Sequence, residues 1–315
     1  MKVSNVFRRC GFAVLVLAGV ACAVLTVTLQ AARGADSPTP AAGRKRDLVY
    51  YFPDTVGRNR ADIAAFYQAW VTAHVTPALG SPVEVVYFSE LADLERYMDI
   101  CRAKGDWPLV AALSVEVARE NRDRWGLEVH SIPVRTDGSH THRIVVASRR
   151  GGPVAHLEDL RGRVVAAPAY WGRDVERFER KVLGGRLRLA EIGELQATNS
   201  STSALMAVHF GQADAALVSN RVFEVLQERA AATWRSMRVI HESEVLPLAV
   251  IVTFPGLTDR EKDVTLKAAL KIHNTIEGRR FLDYVRFSHF VPGSFEDLFG
   301  SEDSPARLPP AQADR

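Results

Sequence analysis

The chain has almost no cysteine. Only three of its 315 residues are cysteines, and two of them, Cys10 and Cys22, lie in an apolar N-terminal segment. Cys101 is therefore alone in the rest of the chain, which excludes an internal disulfide there. This remainder of about 280 residues, rich in Val, Leu and Ala, must be stable through its hydrophobic core alone. Its length suits one large domain or two medium lobes.

Excess charge of either sign is also missing. The full chain carries a net charge of +3, but residues 1–34 contain four basic residues and no acid. Without that segment, Lys plus Arg falls from 40 to 36, against 37 Asp plus Glu. The basic residues are spread through the chain without a dominant stripe. Because nucleic acid is bound through concentrated positive charge, we expect no nucleic-acid partner.

Motifs of known catalytic and metal sites are absent as well. The sequence contains no G-x-S-x-G elbow, no phosphate-cradling lysine loop and no H-E-x-x-H helix. His140 and His142 would share one face of a strand and could hold a metal, but no third ligand is evident. A solvated hairpin tip at Asp137 and Gly138 is the commoner arrangement. We therefore expect no catalytic residue, no metal and no cofactor, and predict that the protein is not an enzyme.

The N-terminal segment has the layout of an export signal. Basic residues precede an apolar run over residues 10–29, and small residues follow up to Gly34. The run is about as long as the ~20 residues that span a bilayer, so an uncleaved anchor is the alternative. The sequence thus predicts a signal peptide or membrane anchor over residues 1–34, and membrane contact only through this segment.

The rest of the chain alternates between predicted strands and helices. The runs "DLVYYFP", "VEVVYF" and "WPLVAAL" are typical of strands, and each is followed by apolar residues at helical spacing. A second alternation begins at "HRIVVAS". This pattern predicts an α/β fold with helices on the faces of its sheets. Ser89 and Ser114 are predicted helix caps, and Thr258 and Glu261 form a capping-box pattern.

Four segments resemble the phosphate/phosphonate-type substrate-binding proteins of ABC importers. They are, in order along the chain, "HLEDLRGRVVAAP", "ALMAVHFGQADAALVSN", "LPLAVIVTFPGLTDREKDVTLKAALKIH" and "FVPGSFEDL". The turn at 159–162 and the segment at 208–216 are fairly specific in combination. The resemblance covers most of 47–299. It implies a type II periplasmic-binding-protein fold, in which two α/β lobes joined by two crossing strands close over a ligand.

This fold implies a division of the chain. We predict a linker over 35–46, a first lobe formed by 47–141 and 244–300, a second lobe over 142–243, and a disordered tail over 301–315. The crossings are expected near His142–Ser148 and Met237–Ser243.

The turn from Ala169 to Gly172 departs from the family pattern. Members of the family bind their oxyanion largely through a Ser/Thr-rich turn there, and this chain keeps only the glycine. Tyr170 and Trp171 instead offer broad apolar faces with one polar group each. The departure predicts a site reshaped for a ligand other than simple phosphonate, in which the helix N-terminus still favours an anionic group. The alternative is that both aromatic residues belong to the core.

Two further positions depart from the family, and both carry neutral donors. Asn199 to Thr202 replace a histidine that often opens a helix, and Asn220 replaces an acid at a strand end; the first group also suits an ordinary helix cap. Tyr51, Ser89 and Ser114 lie at strand ends, where open α/β sheets bind ligands. The predicted ligand-binding residues are Tyr51, Ser89, Ser114, Tyr170, Trp171, Gly172, Asn199, Ser200, Ser201, Thr202 and Asn220.

These observations lead to two hypotheses of function. The first is an exported solute-binding protein that captures a small polar or anionic, phosphonate-like ligand in an interlobe cleft and delivers it to an ABC permease. The alternative is a membrane-anchored sensory or accessory module that uses the same binding fold to signal to a partner protein, with a membrane sensor in place of the permease. The predicted location is periplasmic, either soluble after signal cleavage or anchored to the inner membrane by residues 10–29.

Overall fold

The computed structural model describes residues 45–52, 59–171, 173–229 and 235–299. The predicted signal or anchor, most of the linker, Gly172 and the tail lie outside these residues. Within the described ranges, no helix is both long enough and apolar enough to cross a membrane.

The described residues form thirteen β-strands and several short helices. The strands are β1 Arg46–Tyr50, β2 Val83–Tyr87, β3 Val110–Ser114, β4 Glu128–Arg135, β5 Thr141–His142, β6 Ile144–Arg149, β7 Val164–Pro168, β8 Glu194–Thr198, β9 Ala215–Ser219, β10 Met237–Glu242, β11 Leu246–Pro247, β12 Ala249–Thr253 and β13 Phe287–Val291. The α-helices are α1 Arg60–Trp70, α2 Thr76–Leu79, α3 Leu91–Lys104, α4 Val115–Glu120, α5 Arg122–Trp125, α6 Val175–Arg177, α7 Ser201–His209, α8 Asn220–Arg229, α9 Asp259–Leu270, α10 Ile276–Val285 and α11 Phe295–Phe299. Single π-helical turns extend α1 and α6.

The first sheet has six strands in the order β13-β4-β12-β3-β1-β2. β1 pairs in parallel with β2 and β3, whereas β12 and β13 pair antiparallel to their neighbours. β3 and β12 are buried along their whole length, because both faces of the sheet are covered. On one face Tyr67 of α1 stacks on Phe281 of α10, with ring centroids 4.5 Å apart. On the other face Leu94 and Met98 of α3 are fully buried.

The second sheet has five strands in the order β10-β6-β9-β7-β8. β7 pairs in parallel with β8 and β9, and β6 pairs antiparallel with β9 and β10. Ala204 and Val208 of α7 pack on one face, against Ala216 and Val218 of β9. We call each sheet with its helices a lobe.

A two-stranded antiparallel ribbon links the sheets. In it, β5 pairs with β11 through His142 and Leu246. The segments predicted as crossings, His142–Ser148 and Met237–Ser243, instead form mostly β6 and β10 inside the second sheet. The chain therefore passes between the sheets a few residues earlier and later than predicted. An apolar run marks a strand, but it does not show which strand is its partner. The lobe boundaries stay a prediction.

Local capping signals had mixed outcomes. The Thr258 hydroxyl accepts a hydrogen bond from the Glu261 N–H (3.2 Å), and the Glu261 carboxylate accepts one from the Thr258 N–H (2.9 Å), so the predicted capping box is confirmed. The prediction for Ser89 was wrong, because Glu90 occupies the N-cap position of α3. Ser114 does occupy the N-cap of α4, but its side chain makes no capping bond.

The Asp-Leu-basic-Gly turn holds the start of β7 in place. The Asp159 carboxylate accepts hydrogen bonds from the N–H groups of Ala155 (2.8 Å) and His156 (2.9 Å). Gly162 has φ +69°, a left-handed conformation that favours glycine. The backbone of Gly193 approaches Gly162 so closely that a Cβ on Gly193 would lie 2.6 Å from the Gly162 carbonyl carbon. Two glycines thus allow the segments before β7 and β8 to touch.

Candidate ligand-binding cleft

The carboxyl ends of strands from the two sheets face each other. Tyr51 follows β1 in the first sheet, and Tyr170 and Trp171 follow β7 in the second. All three belong to one buried apolar cluster that also contains Leu113 of β3 and Val146 of β6. The two lobes therefore pack directly against each other at the edge where open α/β sheets bind ligands.

One pocket lies beside Trp171, and we call it the Trp171 pocket. It encloses about 420 Å³ when the space open to solvent is included. Its lining comes from α4, from the segment after β7 and from the ribbon: Val115, Glu116, Arg119, Glu120, Tyr170, Trp171, Asp174, Arg177, Phe178, Lys181, Val182 and Leu246.

Three buried polar atoms belong to residues that line this pocket or adjoin its lining. They are Ser114 Oγ, His142 Nε2 and Trp171 Nε1, and none has a hydrogen-bond partner among the described residues. The rings of His142 and Trp171 lie 6.2 Å apart between centroids. His142 pairs with the lining residue Leu246, and Ser114 precedes the lining residue Val115. Buried polar groups are rarely left unpaired, so three such atoms on or next to one pocket lining make this pocket a candidate site for a polar ligand.

The environment of His142 keeps its ring neutral. Burial, reinforced by the positive charges of Arg221 and Arg135, lowers the pKa of His142 to about 3. Its Nδ1 lies 3.2 Å from Ser219 Oγ, which also accepts a hydrogen bond from the N–H of Arg221 (3.3 Å). When the Ser219 hydroxyl donates to Nδ1, the neutral ring carries its proton on Nε2. Among the described residues, no group of three or more His, Cys, Asp or Glu could hold a metal.

A second and larger pocket contains three arginines, and we call it the arginine pocket. It encloses about 650 Å³, counting the space open to solvent. It is lined by Tyr50, Phe52, Ile63, Arg135, Ser219, Arg221, Glu224, Val225, Leu248, Tyr284, Val285, Arg286 and Phe287. No residue lines both pockets.

Ion pairs connect the lobes near the Trp171 pocket. Arg173 lies 2.6 Å from Glu95 and 3.6 Å from Glu120, which belong to the first lobe. Arg119 of the same lobe donates a hydrogen bond to Asp174, which follows Arg173. These side chains are partly exposed, so each pair contributes about 0.2–1 kcal/mol. We call this group the interlobe ion pairs.

The stability of the closed arrangement should depend on pH through Glu120. Burial raises the pKa of Glu120 to about 7, and the charges of Asp174 and Glu95 add to the shift, while Arg173 and Arg119 oppose it. Because this pKa lies above the ordinary value, the folded protein holds a proton that the unfolded chain releases. The resulting stabilisation is complete below about pH 4.5 and is lost as the pH rises through about 7.

We therefore expect Glu120→Gln to flatten the dependence of stability on pH. The free energy of unfolding of the variant should exceed that of wild type by an amount that grows between pH 5 and 8, reaching on the order of 2 kcal/mol. Urea unfolding of both proteins at a series of pH values measures this difference. A constant difference across the range would show that Glu120 stays ionised.

The predicted residues of the second lobe divide between the cleft and local structure. Tyr170 and Trp171 both line the Trp171 pocket, whereas Gly172 lies outside the described residues. The Asn220 side chain accepts a hydrogen bond from the N–H of Arg143 (3.2 Å). The remaining four lie at the start of α7 and line neither pocket: Asn199 is exposed, Ser200 caps the helix, Ser201 accepts a bond from the Ser219 N–H (3.1 Å), and Thr202 is half-buried.

In the first lobe, none of the predicted residues lines either pocket. Tyr51 is buried between two residues that line the arginine pocket, Tyr50 and Phe52. Ser114 precedes the lining of the Trp171 pocket, and Ser89 is half-buried away from both linings. Ligand contact stays a prediction for every residue of the set.

Sequence reasoning missed most of the charged lining. Arg135 ends strand β4, Arg221 follows Asn220 in α8, and Arg286 follows α10. Only Arg221 stood next to a predicted residue. Charged residues on separate segments carry no local signal of convergence, because an arginine after a strand or helix is usually exposed.

Comparison with known proteins identifies the family. The family described as "ABC transporter, phosphonate, periplasmic substrate-binding protein" matches residues 58–298. The chain belongs to this family. Membership confirms the resemblance in the sequence and the solute-binding role for an ABC importer. The family is one of transport binding proteins and implies a periplasmic location.

Solved structures of other proteins have the same fold as this chain. A binding protein component of an ABC phosphonate transporter from Pseudomonas aeruginosa superimposes with a TM-score of 0.65 at 16% identity, covering 81% of this chain and 83% of that chain. A Xanthomonas citri protein bound to ATP gives a TM-score of 0.62 at 16% identity, covering 79% and 91%. PhnD1 from Prochlorococcus marinus in complex with methylphosphonate gives 0.61 at 10% identity, covering 79% and 93%.

These likenesses confirm the predicted two-lobed α/β fold of periplasmic binding proteins. At such low identity they establish the fold alone. No curated protein matches the chain.

Proposed function

We propose that the protein captures a small ligand with oxygen acceptors in the Trp171 pocket and delivers it to an ABC permease. The observation that carries this proposal is the set of unpartnered buried atoms Ser114 Oγ, His142 Nε2 and Trp171 Nε1. An indole N–H only donates, and a hydroxyl and a neutral imidazole N–H can donate as well. Ligand oxygens within reach of these atoms would satisfy donors of both lobes.

The charge of the lining supports a ligand that is polar overall. Three acids and three bases line the Trp171 pocket, so their formal charges cancel: Glu116, Glu120 and Asp174 against Arg119, Arg177 and Lys181. A doubly charged phosphonate would find no excess of positive charge there. Neutral donors on or next to the lining, together with mixed charges, suit a polar or zwitterionic molecule with an oxygen-bearing head.

The same residues support binding without chemistry. Ser114 is the one hydroxyl of the unpartnered set, and a nucleophile of this kind needs a neighbouring base with a pKa near the working pH. The pKa of His142, about 3, makes its imidazole a poor base at neutral pH. We therefore propose that the protein is not an enzyme, and that it needs no cofactor.

We further propose that the protein acts in the periplasm after its signal is cleaved. The alternative, a sensory module anchored by residues 10–29, rests on a segment outside the described residues. Fractionation of expressing cells distinguishes the two, because a cleaved protein appears in the soluble periplasmic fraction and an anchored one in the membrane fraction.

The binding proposal is tested by first identifying the ligand and then removing its donors. Mass spectrometry of small molecules released from the purified protein supplies the compound, and calorimetry supplies its affinity. Ser114→Ala combined with Trp171→Phe removes two donors, and we expect affinity to fall about tenfold or more.

A matched control for the indole substitution is Trp107→Phe. Trp107 stacks on Phe254 with ring centroids 5.3 Å apart and lines neither pocket. We expect this variant to bind the compound as wild type does. Equal affinities for the control and the double variant would contradict the proposed site.

A further inference from the structure

We propose that Ser219 is a positioning residue for ligand selection, because its hydroxyl fixes the proton of the His142 ring on Nε2 and so makes the imidazole an N–H donor to the ligand. This role deepens the proposed function and rests on it. It adds one requirement: the ligand presents to His142 an oxygen without a hydrogen, such as that of a carboxylate, an amide or an N-oxide, and a ligand with an N–H group in that place is rejected.

The two side chains meet where the ribbon joins the second sheet. His142 lies in β5 and Ser219 ends β9, and the two residues are 6% and 1% exposed. Nδ1 of His142 lies 3.2 Å from Ser219 Oγ, whereas Nε2 is buried without a hydrogen-bond partner among the described residues. The hydrogen bond of one ring nitrogen decides the protonation of the other. What Nε2 offers a ligand therefore depends on the direction of the bond between Nδ1 and Ser219.

The other bonds of Ser219 set that direction. Its Oγ accepts a hydrogen bond from the N–H of Arg221 (3.3 Å), and its backbone N–H donates to Ser201 Oγ (3.1 Å). A hydroxyl has a single hydrogen to donate. Within the described ranges, that hydrogen has one acceptor within hydrogen-bond distance, Nδ1 of His142. The Ser219 hydroxyl therefore donates to Nδ1, and the ring proton lies on Nε2.

The opposite tautomer leaves more buried groups unpaired. With the proton on Nδ1, the oxygen of Ser219 would accept two hydrogen bonds, and its own hydrogen would have no acceptor in the part of the chain that the structure describes. Nε2 of His142 would also keep an unpaired acceptor. Two buried groups would then lack a partner, whereas the Nε2–H tautomer leaves only one. Since unpaired buried groups are costly, the Nε2–H tautomer is favoured.

The ring holds one proton at neutral pH, so the hydroxyl can control where this proton lies. Burial lowers the pKa of His142 to about 3, and the positive charges of Arg221 and Arg135 add to the shift. A doubly protonated ring would donate from both nitrogens whatever Ser219 did. The neutral ring instead donates from one nitrogen and accepts at the other.

A fixed donor at His142 gives the site a preference for acceptors. The imidazole lies beside the indole of Trp171, with ring centroids 6.2 Å apart, and the indole nitrogen can only donate. A ligand oxygen without a hydrogen can accept from either ring. An ammonium group in the same place would meet N–H groups and would lose its hydrogen bonds to water without replacement.

The tautomer can be read in the full chain without any ligand, by ¹⁵N NMR of labelled histidine. A protonated and a bare ring nitrogen resonate far apart, and loss of signals in His142→Gln assigns those of His142. We expect a bare Nδ1 and a protonated Nε2 in wild type. In Ser219→Ala the Nδ1–H tautomer should appear as well, because nothing then holds the proton on Nε2. A wild-type ring protonated on Nδ1, or an unchanged spectrum in Ser219→Ala, would overturn the proposal.

Two further variants separate positioning from packing. Ser219→Thr keeps a hydroxyl and should retain the wild-type signals of His142. Ser148→Ala is the matched control: Ser148 is also 1% exposed in the same sheet, donates to the carbonyl of Val154 (2.7 Å), and lines neither pocket. We expect this variant to keep the wild-type tautomer. A tautomer shift in Ser148→Ala as large as that in Ser219→Ala would show that any loss of a buried serine in this sheet moves the proton.

Ligand selection is tested with two probes that share one apolar body. Trimethylamine N-oxide ends in an acceptor oxygen, and trimethylammonium ends in an N–H donor. By calorimetry we expect wild type to bind the N-oxide at least about tenfold more tightly, and Ser219→Ala to lose most of this preference. Tighter binding of trimethylammonium, or no binding of the N-oxide, would overturn the selection.

The failure of this inference can be told apart from the failure of the proposed function. The tautomer is measured without a ligand, so a ring protonated on Nδ1 contradicts the role of Ser219 and leaves the Trp171 pocket as a candidate site. Conversely, wild-type affinity for the ligand in the variant that combines Ser114→Ala with Trp171→Phe contradicts the proposed pocket, whatever the tautomer of His142.

Discussion

Replacing Trp171 with alanine is expected to lower the free energy of unfolding by about 3–5 kcal/mol, the usual cost of truncating a buried tryptophan. The residue is only 6% exposed. Its ring lies 5.4 Å from that of Tyr170 and 6.5 Å from that of Phe178, within the apolar cluster that both lobes share. Truncation would leave a cavity at the contact between the lobes. Urea unfolding followed by fluorescence or circular dichroism measures the change.

Trp171→Phe is the matched variant for this measurement. It keeps an aromatic ring and most of the volume, so its cost should stay below about 1.5 kcal/mol. If Trp171→Ala unfolds at wild-type urea concentrations but no longer binds the ligand, the indole packs on the ligand and the core assignment is wrong. Stability and affinity measured on the same variants thus separate the two roles that the sequence left open.

Replacing Gly193 with alanine is expected to destabilise the protein by about 3 kcal/mol, because a Cβ there has no room. It would lie 2.6 Å from the carbonyl carbon and 2.7 Å from the carbonyl oxygen of Gly162. Both contacts are with backbone, so no side-chain rotation relieves them. Thermal and urea unfolding measure the loss, and ligand affinity per folded molecule should change little.

Gly185→Ala provides the control for this substitution. Gly185 has φ +68° and no atom within 4 Å of an added Cβ, so only backbone strain opposes the change, at about 1–2 kcal/mol. If the Gly193 variant costs no more than the Gly185 variant, the close approach of the two backbone segments does not limit stability.

The alternation of strands and helices was predictable because each kind of element has its own spacing of apolar residues along the sequence. Runs rich in apolar residues located β1, β2 and β3, and the capping box located the start of α9. In contrast, β4 went unassigned, since Pro133 and His130 interrupt its apolar pattern although most of the strand is buried. The pairing of strands could not be predicted either, because it joins residues that are far apart in the sequence. The misplaced crossings have the same cause.

The site was predictable only where the family resemblance locates it. Tyr170 and Trp171 were expected at the cleft because members of the family bind their ligand at this turn, and both residues line a pocket. Neither composition nor spacing could reveal that Arg135, Arg221 and Arg286 converge. Each belongs to a different segment, and only the folded chain brings the three residues to one pocket.

The interlobe ion pairs make closure sensitive to the dissolved salt around the protein. Their side chains are partly exposed, so mobile ions weaken them within a screening length of about 8–10 Å at 0.1–0.15 M salt. The three unpartnered atoms on or next to the lining of the Trp171 pocket are buried and are shielded from this effect. At low salt concentration the ion pairs therefore favour closure of the empty protein. At high salt concentration closure depends on the contacts with the bound ligand.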